Sequence, residues 1–182
     1  MRSFALVVAA VSALSAMASA DPYADLGRVQ KAFYAVHSFR GQISSPKMKQ
    51  PITLEFVAPD RWHMVTPAGD QYIVGNTMTV HVGGMSMKLP MKAFGPMLQN
   101  IRTFAAGEDL KKDFTIQYAG TTNIGGQILR MYTYTKNSDP SVRAKMYIGP
   151  DNLPRRNEVT DKSGNVTTVT YKDYNSPITI NP

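Results

Sequence analysis

Met78, Met85, Met87, Met91 and Met97 fall within twenty residues of a 182-residue chain that has 11 methionines and no cysteine. A thioether offers two kinds of chemistry. It is a soft ligand, and Met85-x-Met87 with His81, Met91 and Met97 nearby resembles the methionine-rich arrangements that hold Cu(I) in oxidising compartments. It is also an unbranched, polarizable side chain that fits irregular apolar shapes. Met78, Met85 and Met87 alternate onto one strand face, as a greasy lining needs, and the aromatic company of Phe56, Trp62, Phe94 and Phe104 favours a lining over a metal site.

Catalytic signatures are missing. The chain has no G-x-S-x-G, no H-E-x-x-H, no phosphate-cradling G-x-x-x-x-G-K-[ST] and no dinucleotide fingerprint. His37, His63 and His81 are its only histidines and share no metal spacing; His63 and His81 fall on the polar side of their strands by alternation. Glu55, Asp60, Asp70, Glu108 and Asp109 form no recognisable carboxylate pair. Without cysteine there is no disulfide, thiolate metal site, cysteine nucleophile or lipidated amino-terminal cysteine. A non-enzymatic protein without a cofactor is expected.

The first twenty residues have the form of a secretory signal, with Arg2, an apolar run from Phe4 to Ala16, and Ala18-Ser19-Ala20 as the cleavage site. The run is shorter than the roughly 20 apolar residues of a spanning helix and is interrupted by Ser12 and Ser15. The expectation is export to the periplasm, cleavage after Ala20 and no permanent membrane anchor, leaving residues 21–182 as a single domain. Taking Arg2 from the 20 Lys+Arg leaves 19 against 13 Asp+Glu, a net charge of +6. The bases are scattered among apolar residues, a pattern for a solvated face; a nucleic-acid footprint needs a clustered stripe.

Leu26, Val29, Phe33 and Val36 recur at helical spacing, predicting an amphipathic helix over Tyr23 to His37. From Phe39 the period changes to two: Ile52, Leu54 and Phe56; Trp62 and Met64; Met78, Val80 and Val82; Met85 and Met87. Turn signals separate these runs at Pro59-Asp60, Pro67-Ala68-Gly69-Asp70, Gly75-Asn76 and Gly83-Gly84. The pattern breaks at Pro90, where Met91, Phe94, Leu98, Ile101 and Phe104 return to a helical period split by Gly95-Pro96, followed by a short helix from Glu108 to Asp113. Strand spacing resumes at Thr115–Tyr118, Gln127–Thr135, Val142–Ile148, Arg156–Thr160 and Val166–Asp173, with turns that include Ser138-Asp139-Pro140. Many one-sided strands and a few helices predict an α+β, mainly β fold: a strongly curved antiparallel sheet, an incomplete barrel, with about three helices on its concave side. Tyr132 and Tyr134 would line the same interior.

Residues 55–82 resemble the periplasmic carriers of outer-membrane lipoproteins, the LolA/LolB-like group. That group has a strand ending in proline, an aromatic-rich strand with tryptophan and a following proline, then an Ile-Val-x-x-Gly strand; the matching positions are Pro59, Trp62, Pro67, Ile73 and Val74. The helix followed by Ser38-Phe39-Arg40-Gly41 resembles the family's opening, and the closing segment from Tyr171 to Ile180 resembles the tail of broader lipoprotein-sorting relatives. The resemblance implies a bent barrel whose open side is covered by helices around a cavity for lipid or lipoprotein acyl chains, with inner- and outer-membrane partner proteins. The arginine that carriers place before the first proline, implicated in latching the lid, is Ala58 here, with Arg40 and Arg61 as candidate substitutes.

On this reading the cavity wall comes from Phe56, Trp62, Met64, Met78, Val80, Met85 and Met87, and the lid from Met91, Phe94, Leu98 and Ile101. A Cu(I)-binding protein using Met85 and Met87, and a lipid-sensing regulatory domain of the same fold, are the alternatives.

Overall fold

A computed structural model describes residues 21–75, 77–90 and 110–182. Helix α1 (Pro22–Tyr34) begins where Asp21 caps it: its carboxylate accepts from the Tyr23 N–H at 2.9 Å and Pro22 occupies the first helical position. It stops three residues before His37, because the His37 N–H is taken by the Asn175 side chain at 2.8 Å and Ser38 already enters the first strand. A second helix, α2 (Leu110–Asp113), is one turn long.

Eleven strands follow in chain order: β1 (Ser38–Ser44), β2 (Ile52–Val57), β3 (Arg61–Thr66), β4 (Gly69–Val74), β5 (Thr77–Val82) and β6 (Met85–Pro90), then β7 (Phe114–Ile124), β8 (Gln127–Lys136), β9 (Asp139–Ile148), β10 (Pro154–Thr160) and β11 (Val166–Lys172). They form one antiparallel sheet in the order β6-β5-β4-β3-β2-β1-β11-β10-β9-β8-β7. Each half is a meander of hairpins, and the β1–β11 pairing, from Arg40 opposite Lys172 to Ser44 opposite Thr168, joins them. Strands β6 and β7 end the sheet, so it is an open, incomplete barrel, as the strand spacing predicts.

Two turns show why glycine is required. Gly83 and Gly84, at φ of 57° and 81°, close the β5–β6 hairpin in two residues. Gly69, at φ of 125°, opens β4 so close to β5 that a Cβ would stand 2.1 Å from the His81 carbonyl oxygen.

Strand boundaries also differ from the sequence reading. The turn expected at Ser138-Asp139-Pro140 sits at Asn137–Ser138, and β9 begins at Asp139, paired with Lys136 across the turn. Strand β7 continues past Tyr118 to Ile124, because the register shifts between Tyr118 and Thr121 around Gly120 and so hides the alternation. Two helices lie among the described residues; the helical stretch expected over residues 91–104 lies outside them, as do the signal segment and Asn76.

One face of the sheet is apolar and carries two cores. The first gathers Val36, Phe39, Leu54, Trp62, Ile73, Met78 and Leu153; the second packs Leu26 and Val29 of α1 on Ile116, Tyr132, Met146 and Ile148. Helix α1 therefore covers the concave face, one end over each core, with Phe33 at the first.

Candidate ligand-binding site

Between the two cores, under α1, lies a cavity of about 330 Å³. Val29, Gln30 and Phe33 of the helix roof it; Phe39, Ile43, Leu54 and Trp62 form one wall; Tyr134, Met146, Val159, Val169 and Tyr171 the other, with Pro154 and Asn157 at the end. The register explains the convergence. Phe39 pairs with Phe56, Gly41 with Leu54 and Tyr171, and Ile43 with Val169, so both halves of the sheet turn their greasy side chains the same way across the β1–β11 seam. Gly41 matters here: a Cβ would come within 3.0 Å of the Leu54 side chain, so the missing side chain lets Leu54 lie over the seam.

Among the described residues, no carboxylate, amine, guanidinium or imidazole lines the cavity. Its polar atoms are the Gln30 and Asn157 amides and the tyrosine hydroxyls, and the Asn157 Nδ2 donates to the Tyr171 oxygen at 3.4 Å. Burial pushes the Tyr171 hydroxyl up to about 12 and raises Tyr134 as well, so both stay neutral. Such a space offers dispersion contacts and apolar burial. Its volume falls at the lower end of the roughly 300–1,000 Å³ of small-molecule pockets.

Of the seven wall residues expected from sequence, Trp62 lines this cavity. Phe56, Met64, Met78 and Val80 stand on the same face farther along β2, β3 and β5, where Met78 is buried in the first core and the other three pack against it. Met85 and Met87 are opposite Val82 and Val80, hence on the concave face, but 73% and 58% exposed. The sequence does not assign the contributions of α1 and of β9 to β11: the spacing of Val29 and Phe33 marks one apolar helix face without its partner, and the alternation Tyr132-Tyr134 names the inward face of β8 alone. The lid residues Met91, Phe94, Leu98 and Ile101 lie outside the described residues.

Arg40 and Arg61, the latch candidates, both project from the convex face, away from the cavity, and the lid residues they would hold lie outside the described residues. Arg40 donates from Nε to Glu55 at 2.8 Å and lies 3.5 Å from Asp173; Glu55 also meets His63 Nδ1 at 3.2 Å. Burial works to raise the Glu55 carboxyl, but the bonds from Arg40 and His63 outweigh it and hold it below the usual range. His63 stacks on Tyr72, and His81 meets the edge of that ring. His81 pairs with Ser86 and so faces away from Met85 and Met87, and these three do not converge as ligands for one ion.

What ties α1 to the sheet is a buried carboxylate. Asp25, 1% exposed, accepts from the hydroxyl of Tyr132 and from Arg28, and lies 3.3 Å from Arg130 Nη1. Arg130 is itself held by Asn152 at 2.6 Å. Burial alone would raise the Asp25 carboxyl; the Tyr132 and Arg28 hydrogen bonds and the two guanidinium charges more than compensate and lower it. At the other end of the helix Phe33 packs against the rings of Phe39, Tyr171 and Tyr174.

No protein-family model matches the chain, and no curated protein matches it in sequence. Solved structures do. The lipoprotein LppX of Mycobacterium tuberculosis matches with a TM-score of 0.66 at 13% identity, over 87% of this chain and 97% of LppX. LprF from Mycobacterium bovis matches at 0.63 with 14% identity, over 88% and 96%. The chain shares the fold of these two proteins. MucB is also similar, with a TM-score of 0.51 and 16% identity, the match covering 88% of this chain and 62% of MucB. At such identities the likeness is one of architecture: an open antiparallel sheet around an apolar face.

Proposed function

We propose that this LolA/LolB-like protein is a non-enzymatic periplasmic carrier that shields an acyl chain of a lipid or lipoprotein and moves it toward the outer membrane. The observation that carries the reading is the apolar, uncharged cavity of about 330 Å³ between the two cores. Against roughly 30 Å³ for a water-sized group, it holds on the order of ten such groups. Burying an acyl chain contributes about 0.8 kcal/mol per CH₂, so a chain filling it gains useful affinity without any charged contact. Phe56, Met64, Met78 and Val80 extend the same face beyond the cavity, and residues 91–101 are the proposed lid over that extension. The proposed exported form is a single domain of residues 21–182, released by cleavage after Ala20.

Trp62 is the chain's sole tryptophan and lines the cavity. Its fluorescence gives the test. Titration with a doxyl- or bromine-labelled fatty acid is expected to quench it saturably, and native mass spectrometry of protein purified from the periplasm to show bound lipid. A clean unliganded mass with no quenching would sink the reading.

A further inference from the structure

The hairpins place one rim of the sheet apart from the other. The β1–β2 connection (45–51), the β3–β4 turn (67–68), the β5–β6 turn (83–84), the β8–β9 turn (137–138) and the β10–β11 turn (161–165) all lie at the same end, because each follows a strand running in the same direction through the antiparallel order. Ion pairs join neighbouring tips: Lys47 pairs with Asp161 at 3.2 Å, and Lys162 with Asp139 at 3.0 Å. Helix α2 belongs to this end too, since the Asn137 side chain donates to the Lys112 carbonyl at 2.8 Å.

Exposed apolar side chains concentrate there. Met48, Val65, Val82, Met85, Met87 and Val166 are between 37% and 73% exposed, and each sits in a connection at this end or within three residues of one. The opposite end carries Tyr34 and Ile128. Lysines stand among them: Lys47 and Lys162 in the ion pairs, Lys49, Lys112 and Lys136 exposed beside the same turns. Asp139, Asp161 and Glu158 are matched by Lys162, Lys47 and Arg156, leaving Asp70 and Asp113 as the other carboxylates of the rim among the described residues. Val82, Gly83, Gly84 and Met85 form a narrow tip, greasy on both strands and without a charge of its own.

We infer that this rim is a docking surface for the face of an anionic phospholipid bilayer, with the Val82–Met85 tip entering the headgroup layer and Lys49, Lys112 and Lys136 resting on lipid phosphates. A shallow apolar wedge and a basic surround act together, neither being strong alone. The surface is distinct from the cavity, and docking does not depend on the cavity holding a chain.

Cosedimentation of the periplasmic protein with vesicles tests it. Vesicles of phosphatidylethanolamine and phosphatidylglycerol are expected to retain the protein at low salt, release it as salt rises, and bind it far better than phosphatidylcholine vesicles do. Changing Lys49→Gln and Lys112→Gln should weaken partitioning about fivefold each, from about 1 kcal/mol per base at such a surface. Val82→Ser with Met85→Ser should lower it tenfold or more. All four positions are exposed, and an unchanged Trp62 spectrum and melting temperature verify the fold. Equal binding to both vesicle types, variants that bind like wild type, no vesicle binding, or soluble polyglutamate competing as well as the anionic vesicles would each overturn the inference. Fatty-acid quenching of Trp62 on the same samples separates this failure from failure of the carrier reading.

Discussion

Replacing Asp25 isolates what holds α1 over the cavity. Asp25→Ala leaves the Tyr132 hydroxyl, in a residue with 0% exposure, without its acceptor, which costs about 1–3 kcal/mol. Arg130, whose side chain is 21% exposed, keeps its bond to Asn152 and some water, and Arg28, 55% exposed, loses little. The expected loss is therefore about 2–4 kcal/mol, below the roughly 3–5 kcal/mol of a fully buried pair broken on one side. For a domain of this size that corresponds to a melting temperature lower by about 5–15 °C, readable by circular dichroism at pH 7. The cycle with Tyr132→Phe sharpens the test: the double variant should be less damaged than the sum of the singles, by about 1–2 kcal/mol in urea titrations. An Asp25→Ala protein melting within about 2 °C of wild type, or strict additivity in the cycle, would refute the argument that this carboxylate anchors the helix.

Acid should unfold the protein through the same groups. The carboxyls of Asp25 and Glu55 both lie below their ordinary values of 3.8 and 4.5 in the folded state, so their contribution is present above those values and is lost as pH falls below them; the gap between wild type and Asp25→Asn should narrow as melts are taken from pH 5 toward pH 3. Val169→Trp fills the cavity from β11, and fatty-acid affinity measured by displacement should fall at least tenfold while the fold persists by circular dichroism. Gly69→Ala forces a Cβ to 2.1 Å from the His81 carbonyl and imposes a φ of 125° on a side chain, so it should cost more than about 2 kcal/mol in a urea titration.

The sheet was legible because its strands are one-sided. Ile52-Leu54-Phe56 and Met78-Val80-Val82 alternate cleanly, glycine pairs punctuate them, and both signals are local. The cavity was less so. Its walls come from Leu54 and Val169, 115 positions apart and brought together by the β1–β11 pairing, which no local period encodes. Asp25 is similarly hidden: in sequence it is an ordinary acidic residue in the first turn of a helix, favoured there by the dipole, and only Tyr132 and Arg130 on β8 make it an anchor. Arg40 is the complementary case: alternation alone assigns it to the face opposite Phe39 and Gly41, and its bond to Glu55 follows from the β1–β2 register.

That opposition gives the molecule its division of labour. Strands β1 to β3 send aromatic or methionine side chains inward and β4 sends Ile73, while each puts a charged or imidazole group outward, so Arg40, Glu55, His63 and Asp70 knit the convex face and Phe39, Phe56, Trp62 and Met64 stay apolar on the other. A single-residue slip in register would exchange the two sets. The outward polar pairs are partly exposed and individually weak, yet they make such a slip costly because every one of them would be buried unpaired. The convex polar network thus protects the register that keeps the cavity greasy, and charge-removing changes at Glu55 should register in stability before they register in ligand binding.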